Sequence, residues 1–181
     1  MTILGVDPGY ATVGFGFVKY LPPRYKVGKY GAVVTPAGDP FEKRLNTIHT
    51  SMCNLIERFK PDAMAIEKLF YNNNAKTVIG VAEARGVILL AAYEKGIPVY
   101  EYTPLQVKLA VTGFGQALKP QVQEMTKRLL ALKEMPKPDD TADALALAIC
   151  HAQNSARVKL THATAVTSIS AAVKKAEKPE D

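Results

Sequence analysis

With 181 residues, 48% of them hydrophobic and 22% charged, the chain suits one globular domain and is short for two. The net charge of +6 and pI near 9.2 favour a polyanionic partner without demanding one. No run approaches the roughly 20 apolar residues of a membrane span, and Asp7 interrupts the stretch where a secretory signal would be building, so a cytoplasmic protein is expected.

Three strand-like runs come first, Thr2 to Val6, Gly14 to Tyr20 and Tyr25 to Thr35, joined by short links with Pro8-Gly9 and Pro22-Pro23. They predict an antiparallel meander. From Phe41, apolar Leu45, Ile48, Met52, Leu55, Ile56 and Phe59 step by three and four, which predicts an amphipathic helix ended before Pro61. A fourth strand, Ala63 to Glu67, follows. After Asn72-Asn73-Asn74, a loop or helix cap, Val78 to Tyr93 is apolar or small nearly all round. Such a helix is expected to pack on the sheet and also against a second subunit, Gly80 and Gly86 permitting close approach, or else to be wholly internal.

Gly96 closes that helix, Pro98 to Tyr102 reads as a fifth strand, and helices start near Pro104, Pro120 and Asp140. Residues 1–154 are expected to form the domain. Residues 155–181, rich in Ser, Thr, Ala and Lys, are expected to be a weakly ordered or peripheral tail. Cys53 and Cys150 lack metal or redox spacing and read as two buried reduced thiols. The element order predicts an α/β protein with a five-stranded mixed sheet flanked by helices, in a ribonuclease H-like arrangement. There the first and fourth strands are parallel neighbours.

Asp7 would then stand beside Glu67 at the carboxyl ends of those strands, where open α/β sheets place their sites. Asp140 and Asp143, three apart at the head of the apolar stretch Ala144 to Ala152, share one helical face. Four acids converging without basic partners repel unless cations lie between them. Hard carboxylate oxygens suit Mg²⁺, and a pair of such ions about 4 Å apart can hydrolyse a phosphodiester. Each acid also has a structural reading: Asp7 before Pro8-Gly9 as a turn initiator, Asp140 or Asp139 as a helix cap. Glu67 resists that reading, because a charge directly after Ala63-Met64-Ala65-Ile66 is costly to bury alone. His151 lies eight residues past Asp143, about 12 Å along a helix. That is too far to share an ion, and a satisfied or partly exposed histidine is expected. His49 and His162 show no partner pattern.

These residues closely resemble the RuvC family of Holliday-junction resolvases from about Ile3 to His151. The resemblance rests on GVDPGYATVGFG, AIEKLF, ARGVILLAA, YTPLQVKLAVTGFGQALKPQVQ and DDTADALALAICHA, in that order and spacing. It implies a homodimeric crossover junction endodeoxyribonuclease of DNA recombination and repair, nicking two strands of like polarity symmetrically in four-way junctions. It further implies Asp7, Glu67, Asp140 and Asp143 as catalytic ligands for two Mg²⁺, with Mn²⁺ as a substitute, and collaboration with the RuvA-RuvB branch-migration complex. Lys108 and Lys119 match basic residues needed for activity. Phe70 matches an aromatic that stacks on or wedges between junction bases. Two positions depart from the family's habit: Pro120 replaces a small polar residue, and Lys68 is unusual beside Glu67.

Two other enzyme readings share the metal or phosphate logic. An actin-like or sugar-kinase-type ATPase requires a second phosphate-binding hairpin, for which the chain is too short. A ribonuclease H-type nuclease is disfavoured by the doubly apolar helix and by the Lys108 and Lys119 segments. A non-enzymatic junction-binding module would lack one of the acids, and none is missing.

Overall fold

The computed structural model describes residues 1–69 and 75–155. Strands β1 (Thr2–Asp7), β2 (Thr12–Leu21) and β3 (Arg24–Val34) form the expected meander, followed by α1 (Phe41–Phe59) and β4 (Ala63–Glu67). Then come α2 (Ala75–Glu94), β5 (Val99–Tyr102), α3 (Pro104–Thr112) and α4 (Lys119–Leu129). A last helix, α5, covers residues 139–155. The sheet order is β3-β2-β1-β4-β5. β1 and β2, and β2 and β3, pair antiparallel, while β1, β4 and β5 run parallel. This is the ribonuclease H-like arrangement anticipated from the strand count.

Period-two alternation of the strands divides the core between the two sheet faces. Leu4 and Val6 of β1 and Met64 and Ile66 of β4 pack with Ile48, Met52 and Ile56 of α1 and Ala84, Ile88 and Ala91 of α2. Ile3 and Ala65 point the other way, into a cluster with Val107 of α3, Val122 of α4 and Leu145 and Ile149 of α5. By the same alternation Asp7 and Glu67 fall on the α5 side.

The close seating of α5 depends on small residues beneath it. A Cβ on Gly5 would overlap the Ala144 carbonyl, and one on Gly14 would overlap the backbone of Asp140. These glycines let the helix lie directly on β1 and β2, with its acidic head over the end of β1. Its segment 144–150 is buried throughout, which explains the uninterrupted apolar run there.

Helix α2 begins earlier than Val78 but otherwise behaves as a two-sided helix. Ala84, Ile88, Ala91 and Ala92 are buried, whereas Ile79 is 68% exposed, Leu90 48% and Tyr93 83%. A wholly internal helix is thereby ruled out. Gly80 faces the ring of Tyr10 in the same chain rather than a second subunit, while Gly86 has open space beside it.

Cys150 is buried as expected, but Cys53 is only half-buried. It lies off the line of Ile48, Met52 and Ile56 that meets the sheet. No helix among the described residues is long and apolar enough to cross a membrane. Asn72–Asn74, expected as a loop or helix cap, and most of the expected tail, from residue 156 onward, lie outside the described residues.

Candidate active site

The parallel register places Val6 opposite Ile66, so Asp7 and Glu67 follow as neighbours at adjacent strand ends. They open into a cavity of about 350 Å³ whose lining includes Asp7, Glu67, Lys108, Lys119 and Asp143. β1, β4 and α5 supply the carboxylates, and α3 and α4 the lysines. Asp140 is not among the lining residues, but one helical turn before Asp143 its charge still acts on Asp7.

Asp7 carries the consequence of this crowding. Burial, reinforced by the negative charges of Glu67, Asp143 and Asp140 and opposed by Lys119, pushes its carboxyl up to about 8. Burial also raises Glu67, with Asp143 adding to the effect and Lys119 countering it. Both shifts follow from taking negative charge out of water beside like charge. A half-buried cluster of carboxylate oxygens fits a hard divalent cation, which would restore the ionised forms.

The expectation of acids without a basic partner needs correction. The Lys119 ammonium lies 2.8 Å from Asp143 Oδ2 and 4.0 Å from Asp139 Oδ2. The hydrogen bond to Asp143 holds the lysine in its charged form to higher pH than usual. From sequence, Lys119 stands twenty-one residues before Asp140 with no periodic relation to it. Only the packing of α4 against α5 joins them. Pro120 leaves this arrangement intact, since it occupies the first turn of α4, where a missing N–H breaks no helical bond. Lys108 is carried by α3, whose start is held by a capping box between Thr103 and Gln106. Lys68 is exposed beside Glu67. Phe70 lies outside the described residues.

His151 is a satisfied histidine, as expected. Its Nδ1 is 2.7 Å from the Tyr102 hydroxyl, its ring packs 4.4 Å from that of Tyr100, and burial lowers its pKa. The loop after Asp7 is braced from behind. Arg44 donates to the Tyr10 carbonyl at 3.2 Å and to Thr35 Oγ1 at 2.9 Å, with its guanidinium 4.7 Å from the Tyr10 ring centre. Nothing in the sequence singled out Arg44. Nor was a partner expected for His49, although the four-residue step to Cys53 was a visible signal: the structure brings both to Glu94.

Residues 3–151 match the family model described as crossover junction endodeoxyribonuclease RuvC. A protein of that description from Brevibacillus brevis is 55% identical over 160 residues, covering 88% of this chain and 96% of the relative. Another, from Halothermothrix orenii, is 56% identical over 151 residues, covering 83% and 92%. Among solved structures, RuvC of Thermus thermophilus in complex with Holliday junction substrate superimposes with a TM-score of 0.81 at 38% identity, covering 84% of this chain and 93% of the other. With the matching fold and similarities that cover most of this chain and of its relatives, the chain belongs to the RuvC family of crossover junction endodeoxyribonucleases.

Proposed function

We propose that the protein resolves four-way DNA junctions by Mg²⁺-dependent hydrolysis, acting as a dimer that nicks two strands of like polarity. The observation that carries this reading is the convergence of Asp7, Glu67 and Asp143, from three separate elements, on one cleft that also contains Lys108 and Lys119. The junction DNA held by the Thermus relative supports the substrate class. Asp7, Glu67, Asp140 and Asp143 would hold two Mg²⁺, or Mn²⁺ in their place. The chemistry such ions would supply, if bound there, is activation of a water and stabilisation of charge on the phosphorus and the leaving oxygen.

The protein's own groups do the remaining work. Asp7 and Glu67 sit on rigid strand ends, which fixes their oxygens before substrate arrives. Lys119 is 56% exposed at the cleft and offers a compact cation to a phosphate, with Lys108 a second contact within the same cavity. Phe70 is assigned to base stacking at the junction centre by family resemblance. Collaboration with RuvA-RuvB and action in the cytoplasm belong to the same proposal.

The decisive assay pairs the parent with Glu67→Gln on an immobile four-way junction in Mg²⁺. The parent should make paired symmetric nicks and cut linear duplex poorly, while the variant binds without cleaving. Equal cutting of junction and duplex would replace this reading with that of a generic nuclease. Binding should weaken steeply with salt as counterions are released.

For the dimer, the support is the exposed stripe of Ile79, Leu90 and Tyr93 along α2. Leu90→Glu should yield monomers in sedimentation velocity and reduce paired incision to single nicks. A variant that stays dimeric would remove this stripe from the interface.

A further inference from the structure

Away from the acidic cleft, donors of a different chemical kind meet where α1 passes the end of α2. His49 and Cys53 stand one turn apart on α1, so their side chains leave the same helical face, and Glu94, the last residue of α2, reaches them from the neighbouring helix. His49 Nε2 lies 3.0 Å from Glu94 Oε2. Cys53 Sγ is 3.8 Å from that nitrogen and 3.7 Å from the same carboxylate oxygen.

These separations match a tetrahedral ion. Zinc bonds of about 2.0–2.1 Å to nitrogen, 2.3 Å to sulfur and 2.0–2.2 Å to oxygen place such ligands about 3.4–3.6 Å apart. The observed triangle has edges of 3.0, 3.8 and 3.7 Å, so side-chain shifts of a few tenths of an ångström would admit the metal. We propose that His49, Cys53 and Glu94 form a zinc site, with water as the fourth ligand. Solvent reaches it, since the His49 side chain is 25% exposed and that of Glu94 46%.

In the metal-free arrangement the thiol donates to Glu94, and His49 shares a proton with the same carboxylate. Zinc replaces both hydrogen bonds with coordinate bonds. The thiol proton leaves to solvent, and the proton on His49 Nε2 is lost to solvent from a charged ring or is carried on Nδ1 in the other tautomer of a neutral one, which frees Nε2 for the metal. The donor set also sorts metals. Imidazole and thiolate select zinc over magnesium, whereas the all-oxygen cleft has the opposite preference. The ion would tie α1 to the end of α2 beside the ion pair of Glu57 on α1 with Lys95, the residue that follows α2, at 3.2 Å. It stands independently of the nuclease reading.

Cobalt is a direct probe, because a cobalt–thiolate bond absorbs and a cobalt–carboxylate site lacks that band. The full-length protein, kept reduced by a phosphine and saturated with Mg²⁺, is titrated with Co²⁺. One equivalent should produce a near-ultraviolet charge-transfer band and visible bands of tetrahedral cobalt, both abolished by one equivalent of Zn²⁺. Cys53→Ser should lose the charge-transfer band while retaining its circular dichroism and parental junction cleavage in Mg²⁺. His49→Gln and Glu94→Gln should each weaken Co²⁺ binding at least tenfold, and Glu67→Gln should leave the band unchanged. Absence of the band in folded parent protein at stoichiometric cobalt would overturn the assignment. So would its full persistence in both His49→Gln and Glu94→Gln, or its loss in Glu67→Gln.

Discussion

Asp7→Asn should abolish junction cleavage and, in the same protein, raise the stability of the metal-free fold. The two effects come from one carboxylate. As a proposed ligand it contributes to stabilising charge in the transition state. Losing about 4 kcal/mol of that stabilisation corresponds to a rate lower by about 1,000-fold. In the free protein the same group is costly, because burial and the charges of Glu67, Asp143 and Asp140 push it up to about 8. An amide of the same shape removes that cost and still faces a cleft that water can enter. At pH 8 in EDTA the variant should unfold later than the parent by about 2 kcal/mol or more. A variant that is both inactive and less stable would mean that Asp7 is structural, tied into its turn by favourable contacts.

The second large effect is a reversal of pH dependence by divalent cation. Asp7 ionises near its ordinary value of 3.8 in the unfolded chain but at about 8 in the folded one. Between these values the native state binds the extra proton, so stability is present at low pH and is lost as pH rises through about 8. From pH 6.5 to 8.5 the loss should be about 2 kcal/mol, or a fall in Tm of about 5 °C for a chain of this size. His151 acts in the opposite direction. Burial lowers its pKa from 6.5, so it destabilises the fold only under more acidic conditions, and the chosen window avoids most of that contribution. With saturating Mg²⁺ the cluster prefers to be ionised, and stabilisation by the ion should grow with pH across the same window. Thermal unfolding at constant ionic strength, in EDTA and in Mg²⁺, measures both slopes. Parallel slopes would show that Mg²⁺ does not bind at Asp7.

Lys119 links these expectations. Its 2.8 Å contact with Asp143 places one positive charge directly on the acids, in a cleft that Lys108 also lines. The lysine lowers the cost of holding Asp7 and Glu67 together, which limits how far repulsion can raise them. Lys108 brings a second ammonium to the lining, but the cleft still gathers three carboxylates from separate elements, and a divalent cation can be held by several of their oxygens at once.

Much of this molecule is legible in one dimension. Hydrophobic stepping from Leu45 to Phe59 marks α1, and the Ala63–Ile66 run ahead of Glu67 marks β4, because both patterns arise from local geometry and burial of one face. Asp7 and Glu67 were recognisable as strand-end acids, and the parallel pairing of their strands followed from the order of elements. Family motifs then linked them with Asp140 and Asp143. The two-sided character of α2 was likewise written in its composition.

What lay beyond the sequence depends on distances between segments that no local pattern encodes. The Lys119–Asp143 pair exists because α4 and α5 share the core behind the cleft. The placing of the acidic head of α5 over the end of β1 depends on Gly5 and Gly14, where a side chain would collide with the helix backbone. Arg44 reaches Tyr10 across thirty-four residues, and Glu94 reaches His49 across forty-five. Periodicity determined which face each side chain would occupy; only the packing of α4, α5 and the ends of α1 and α2 decided which charges and donors would meet.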